Sequence, residues 1–230
     1  MTVIPGGLVV SLEGVRIGVL GGTGPLGRGL ALRFAMAGHP VVLGSRDAAK
    51  AQAAADELRA VHPRRKLDVT GAANAAAAGA EMVLVTVPYD GHRELLTGLT
   101  AELAGRIVID CVNPMRFDDR GAVGIAVPEG SAAEEAAAVL PSSRIVAAFH
   151  HVSARRLLGT NLSVSTDVLV CSDDAEAKAL VCGLATQVPG MRGIDAGPLR
   201  LAGHLEALTT VLIAVNRRYR THSGVRISGV

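Results

Sequence analysis

The sequence predicts an α/β fold: a doubly wound parallel Rossmann sheet followed by a small C-terminal α/β domain. Three observations carry that prediction. Short apolar-rich runs such as Val15–Leu20 and Met82–Val87 read as parallel strands buried on both faces. Stretches with helical spacing follow them, so strands and helices alternate along the chain. The first strand-to-helix junction, Gly21-Gly22-Thr23-Gly24-Pro25-Leu26-Gly27, has the spacing G-x-G-x-x-G at Gly22, Gly24 and Gly27.

Residues 1–14 read as a loose lead-in, 15–153 as a Rossmann domain and 154–230 as the small second domain. In the glycine loop one glycine allows a tight turn, one lets a pyrophosphate approach the backbone, and one lets the helix pack close to the sheet. The following helix, with Leu26, Leu30 and Phe34 at helical spacing and Gly38 as its stop, aims its free N–H groups at the phosphates. Gly22, Thr23, Gly24, Pro25, Leu26 and Gly27 are therefore candidate cofactor-binding residues.

The exit of the second strand selects the dinucleotide. NAD enzymes place an acidic residue there, about 20 residues on, for the ribose 2′-hydroxyl. This chain has Gly44-Ser45-Arg46 with Lys50 beyond. A hydroxyl and two cations suit a 2′-phosphate, so the expected cofactor is NADP(H), held by Ser45, Arg46 and Lys50. Asp47 reads as the N-cap of a helix over Ala48–Val61.

Lys66–Thr70 is expected as a third strand near an edge, and the alanine-rich Ala72–Ala78 as a short helix. The fourth strand, Met82–Val87, ends in Pro88-Tyr89-Asp90-Gly91, and Leu95, Leu99 and Leu103 mark one face of the next helix. Arg106–Asp110 is the fifth strand and runs into Cys111-Val112-Asn113-Pro114. Met115–Gly130 has no period and reads as a loop; Ser131 with Glu134 forms a capping box before a short helix. Ile145–Phe149 is the sixth strand, ending at His150-His151. Ligands of such sheets sit outside the carboxyl ends of the strands. The glycine loop, Ser45-Arg46, Val87-Pro88-Tyr89, Asn113-Pro114 and His150–Ser153 should therefore share one cleft.

In the tail, Val168–Cys171 and Met191–Asp195 read as strands, and Asp173 or Asp174 caps a helix over Ala175–Gln187. Leu205, Leu208, Leu212 and Val215 mark a long helix ending near Tyr219, apolar on more than one face. Such a helix is expected to be buried, under the first domain or in a dimer contact.

The chain has 230 residues, net charge +2 and 49% hydrophobic residues. Charges are interleaved and only 2% of residues are aromatic, which argues against nucleic-acid binding. Neither a membrane span nor a signal peptide is evident, so the expected location is cytoplasmic. Three cysteines, Cys111, Cys171 and Cys182, fit neither a zinc pattern nor a disulfide framework, and no metal is expected.

Taken together, Leu-Gly-Gly-Thr-Gly-Pro-Leu-Gly, Gly-Ser-Arg with Lys50, Val87-Pro88, Phe149-His150, residues 170–174 (Val-Cys-Ser-Asp-Asp), Asp195-Ala-Gly-Pro-Leu199 and Glu206 are familiar. The chain resembles the F420-dependent NADP reductases over about Val15 to Ile227, and more distantly the ferric reductases with an NADPH domain of this type. The resemblance implies an oxidoreductase moving a hydride directly between NADP(H) and the deazaflavin coenzyme F420. It assigns Thr23, Ser45, Arg46 and Lys50 to the NADP phosphates, and Pro88, His150 and Val152 to the nicotinamide and deazaflavin. Val152 would press the nicotinamide toward the deazaflavin. Tyr89, between Pro88 and Asp90, either covers the nicotinamide or packs; Val87 and Asn113 complete the expected cofactor contacts. His151, Ser153 and the Asn113-Pro114-Met115 loop depart from the family pattern on the acceptor side.

Hydride transfer needs placement more than an acid or a nucleophile, so no catalytic side chain is expected. A reductase of another acceptor, such as a flavin, an imine or a carbonyl compound, and a non-catalytic NADP sensor are the alternative readings. The expected partners are F420 and a second copy of the chain.

Overall fold

The computed structural model describes residues 2–3, 9–10, 12–61, 63–159 and 163–230. Part of the lead-in expected over 1–14 lies outside the described residues. Within the described part, Thr2–Val3 pairs antiparallel with Val9–Val10. The main strands are β1 (Ile17–Leu20), β2 (Val41–Ser45), β3 (Val69–Ala73), β4 (Met82–Val85), β5 (Ile107–Asp110), β6 (Arg144–Ala147), β7 (Thr166–Cys171) and β8 (Met191–Gly197). They form one sheet in the order β8-β7-β6-β5-β4-β1-β2-β3. From β1 to β6 all pairings are parallel, in the doubly wound order of dinucleotide-binding folds. β7 runs antiparallel to β6 through a single pairing, Ala147 with Cys171, and β8 is parallel to β7.

Segment 154–230 thus adds its two strands to the same sheet. The expected third strand is displaced: the ladder with β2 begins at Val69 and runs to Ala73, at the sheet edge.

The sheet is covered on both faces, and its strands show it by period-two alternation. Ile17, Val19, Leu84, Ile109, Val146 and Val170 belong to one apolar core. Leu20, Val83, Val85, Val108, Ala147 and Leu169 belong to the other. On the first face lie α1 (Pro25–Met36), α2 (Ala48–Val61) and, after the short helices, α8 (Ala175–Thr186). The second face carries α3 (Asn74–Ala78), α4 (His92–Thr97), α5 (Thr100–Leu103), α6 (Ala132–Val139) and the start of α9 (Ala202–Tyr219). α7 (Ala154–Leu158) packs on α1. Arg33 of α1 donates to the carbonyl oxygens of Leu157, Arg156 and Gly159 at 2.6, 3.0 and 3.1 Å.

Two further sequence expectations are corrected. The helix through Leu95, Leu99 and Leu103 is two short helices, α4 and α5, because α4 stops at Gly98. Segment Met115–Gly130 contains a hairpin, Met115–Asp118 with Gly121–Gly124. Its turn uses Gly121 at φ +131° and Asp118 Oδ1, which accepts the N–H groups of Arg120 and Gly121 at 2.9 and 3.0 Å. Within the single chain, α9 is buried only at Ala202, Leu205 and Glu206, and Val211 is 55% exposed. It packs against α6 and against the hairpin strand Gly121–Gly124. Of the two capping aspartates, Asp174 is the one used: its Oδ1 accepts the N–H of Ala177 at 2.8 Å.

Candidate functional site

The strand order reverses on either side of β1, between β2 and β4, and the glycine loop leaves β1 there. Gly21 takes φ +71°, and a Cβ on it would lie 2.6 Å from Val87 Cγ1. The left-handed turn therefore falls one residue before the motif glycines. Gly27 supplies the close packing: a Cβ there would lie 2.6 Å from Thr86 Oγ1 and 2.9 Å from Gly22 Cα. Gly24 begins α1 with Pro25 next and no side-chain cap, and α1's first turn carries no acidic residue. Its leading N–H groups are thus left for a ligand.

Beside this loop is a cavity of about 540 Å³. Gly21, Thr23 and Gly24 line it from the loop, Ser45 and Arg46 from the end of β2, and Asn74 from the end of β3. Thr86, Val87, Pro88, Asp90 and Gly91 close it from the turn after β4, with Glu94, Leu95, Gly98 and Leu99 behind them. Ser45 Oγ accepts the N–H of Asp47 at 3.1 Å, and Asp47 Oδ1 accepts those of Ala49 and Lys50 at 3.0 and 3.2 Å, which caps α2. Arg46 is exposed, and Lys50 stands outside the cavity, 4.0 Å from Asp47 Oδ2. Gly22 and Gly27 are buried beneath the loop, and Pro25 and Leu26 start α1 without lining the cavity.

The other expected strand ends are not on its wall. Asn113 Nδ2 donates to the His150 carbonyl oxygen at 3.0 Å, which also accepts from Thr209 Oγ1 of α9 at 3.0 Å. His150 and Val152 are buried, 2% and 5% exposed. Phe149, with φ +64°, turns the chain into the left-handed region just before them. Asn113 Oδ1 is buried without a hydrogen-bond partner, and neither buried His150 ring nitrogen makes a hydrogen bond of ordinary geometry, with the Val112 backbone acting weakly on the ring. Burial pushes the His150 pKa down to about 4 against the pull of the Asp110 charge, so the ring is neutral at pH 7. The neighbouring His151, also lowered by burial, is held by the Asp167 carbonyl oxygen at 2.8 Å.

Behind the cavity wall, the His92 ring lies between Asp110 and Glu135, at 2.8 and 2.7 Å. Tyr89 stacks on that ring, with centroids 6.2 Å apart. Glu206 of α9 accepts the N–H groups of Ala132 and Ala133 at 3.1 and 3.3 Å, capping α6 from outside; burial raises its pKa to about 7.

Comparison with known proteins places the geometry. Residues 16–114 match the family model described as NADP oxidoreductase, coenzyme F420-dependent. The F420-dependent NADP reductase of Methanothermobacter thermautotrophicus is 40% identical over 222 residues, 94% of this chain and 96% of that protein. The chain belongs to the F420-dependent NADP reductase family. A crystal structure assigned as an F420-dependent NADP-reductase from Arthrobacter sp. FB24 superposes with a TM-score of 0.80 at 28% identity, covering 94% of this chain and 100% of that one. The metalloreductase STEAP3 of Rattus norvegicus is 30% identical over 89% of this chain, which spans 38% of that protein.

For a member of this family the cavity contains residues that sequence reasoning passed over. Asn74 is 9% exposed, lines the cavity, and has its Oδ1 buried with no partner. A buried amide oxygen of that kind calls for a donor, such as a ribose hydroxyl. In sequence Asn74 sits inside the alanine-rich run expected as a helix, where nothing marks it. Thr86 was hidden inside an apolar strand pattern. The glycine cradle, the orphaned Asn74 oxygen and the neighbouring Arg46 together fit an adenine dinucleotide carrying a 2′-phosphate.

Proposed function

We propose that the protein transfers a hydride between NADP(H) and coenzyme F420, with NADP(H) laid along the cavity from Arg46 to Pro88. The observation carrying this reading is that the glycine loop, Ser45-Arg46 and Val87-Pro88 meet around one 540 Å³ cavity. Membership of the F420-dependent NADP reductase family supports it.

In this reading the α1 N–H groups hold the pyrophosphate. Thr23, Ser45 and the Arg46 guanidinium take the 2′-phosphate, and Lys50 adds charge from the first turn of α2. Asn74 accepts from the ribose, and Val87 and Pro88 support the nicotinamide. The bound coenzymes supply hydride donor and acceptor; the protein sets their approach and excludes water. The acceptor ring is assigned to the side of Pro88, Tyr89, Asn113, His150 and Val152. A neutral His150 offers one donor and one acceptor nitrogen there.

The same reading takes the working unit as a homodimer in the cytoplasm. The exposed outer face of α9, with Val211 at 55% and Tyr219 at 73% exposure, is the face a second copy would cover. Among the described residues no helix is long and apolar enough to cross a membrane, and Cys111, Cys171 and Cys182 are free thiols, as suits a reducing compartment. Sedimentation of wild type and Val211→Glu checks the dimer; a monomeric wild type refutes it.

The deciding assay mixes the protein with NADPH and F420 and follows the deazaflavin absorbance. Turnover is expected. Turnover only with a flavin or an imine would reassign the acceptor, and NADPH binding without any turnover would overturn the enzymatic reading.

A further inference from the structure

Hydride transfer as described leaves one buried charge cluster without a role. His92, the first residue of α4, has a fully buried side chain. Its Nε2 faces Asp110 Oδ2 at 2.8 Å and its Nδ1 faces Glu135 Oε1 at 2.7 Å. Asp110 ends β5, and its Oδ1 accepts the N–H of Val112 at 3.0 Å. Glu135 Oε2 accepts the Tyr89 hydroxyl at 3.4 Å and Arg93 Nε at 3.2 Å. The His92 N–H donates to the Tyr89 carbonyl oxygen at 3.0 Å, closing a turn through Gly91 at φ +91°.

With both carboxyls ionised, the two acceptors facing the ring nitrogens are matched only when both nitrogens carry protons. A neutral ring between two ionised carboxylates would set a lone pair against a carboxylate oxygen. Burial pulls the His92 pKa down, but the bonds and charges of Asp110 and Glu135 outweigh it and raise it to about 9. The charged and titratable groups facing the ring are Asp110 from β5, Glu135 from α6 and Tyr89 from the turn. Arg93 acts on it through Glu135, and Glu206 of α9 feels its charge.

The turn held in this way, Thr86–Gly91, supplies Val87, Pro88, Asp90 and Gly91 to the cavity wall. Val87 in turn packs against Gly21 of the glycine loop. We propose that the His92 imidazolium is a positioning residue for hydride transfer, pinning the Thr86–Gly91 turn to β5 and α6 at the height where the nicotinamide lies. The inference rests on the assignment of this cavity to NADP(H). Loss of the proton slackens the turn and slows transfer. NADPH affinity is largely kept, because Thr23, Ser45 and Arg46 lie on other elements.

The test measures kcat and KM for NADPH, with F420 as acceptor, from pH 6 to 10 in wild type, His92→Gln and Glu135→Gln. In both variants kcat is expected to fall about 10- to 100-fold, with KM changed by less than about threefold, as for a misplacement of order 1 Å. Wild-type kcat declines as the pH passes about 9, and that limb is missing in His92→Gln. A variant-free arm is ¹⁵N NMR of histidine-labelled wild type, where one ring stays doubly protonated at pH 8. Wild-type kcat and an unchanged pH profile in His92→Gln, or no doubly protonated ring at pH 8, overturns the inference. Failure of wild type to bind NADPH overturns the cofactor assignment instead.

Discussion

The Oγ1 of Thr86 donates to the carbonyl oxygen of Leu20 at 2.9 Å, tying the exit of β4 to the exit of β1 at the edge of the cavity. The hydroxyl also fills the space that a side chain on Gly27 would need, so one contact fixes the strand exits and the seat of α1 together.

Gly27→Ala tests this arrangement. The added methyl would lie 2.6 Å from Thr86 Oγ1 and 2.9 Å from Gly22 Cα, so the loop must shift. The expected cost is about 1–3 kcal/mol of stability, as for overpacking elsewhere, together with weaker NADPH binding. Urea unfolding and fluorescence titration measure the two; an unchanged affinity would mean that the loop backbone does not hold the phosphates.

Arg46 and Asn74 should separate the two parts of the adenosine end. Arg46→Ala removes a charge-assisted bond to the 2′-phosphate, so NADPH binding should weaken by about 1.5–3 kcal/mol, roughly 10- to 150-fold. NADH, which lacks that phosphate, should bind as before. Equal small losses for both nucleotides would place the phosphate elsewhere.

Asn74→Ala should behave differently. Its Oδ1 has no partner in the protein, so removing it costs the free enzyme little stability. Loss of one neutral hydrogen bond should weaken NADPH and NADH alike, by about 1 kcal/mol. Isothermal titration with both nucleotides decides it; a loss confined to NADPH would move Asn74 to the phosphate.

A further prediction concerns the C-terminal segment. Asp167 of β7 is fully buried and accepts from Arg192 at 2.6 and 2.8 Å, from Arg226 at 2.8 Å and from the N–H of Ile227 at 2.7 Å. The Arg192 bonds, chiefly, hold its carboxyl well below the usual carboxylate range. A depressed carboxylate adds stability above its ordinary pKa of 3.8, and that contribution is lost as the pH falls below it. Asp167→Asn should therefore unfold at lower urea than wild type at pH 7, and the gap should narrow below pH 4. A gap independent of pH would show that the ion pairs do not act through this charge.

Local signals made much of the fold readable in the sequence. α2 spans Ala48–Val61 as expected because Asp47 caps it and its alanine-rich pattern is continuous. Five of the six parallel strands were visible because burial on both faces demands apolar runs, whereas the edge strand Val69–Ala73, buried only at its first residue, was expected several residues too early. The hairpin at 115–124 was not, because Phe117 is 68% exposed and no face of it alternates toward a core. Continuation of the sheet into β7 was also hidden, since one antiparallel pairing leaves no pattern in sequence. At the site, Thr23, Ser45, Arg46, Val87 and Pro88 were readable from the strand ends on which they stand. His92, Asp110 and Glu135 were not, because their link joins three elements separated along the chain, and charge patterning within any one of them is silent.

Every other neighbouring pair in the large sheet shares three or more rungs, whereas β6 and β7 share one. That seam is the place where the sheet should part first. Opening it would expose only the facing edges of β6 and β7, because β7 keeps its six rungs to β8 and the pairings of β1 to β6 are untouched. Deuterium uptake should accordingly be faster along the facing edges of β6 and β7 than elsewhere in the sheet, and the nucleotide cradle, at β1, β2 and β4, lies away from that edge.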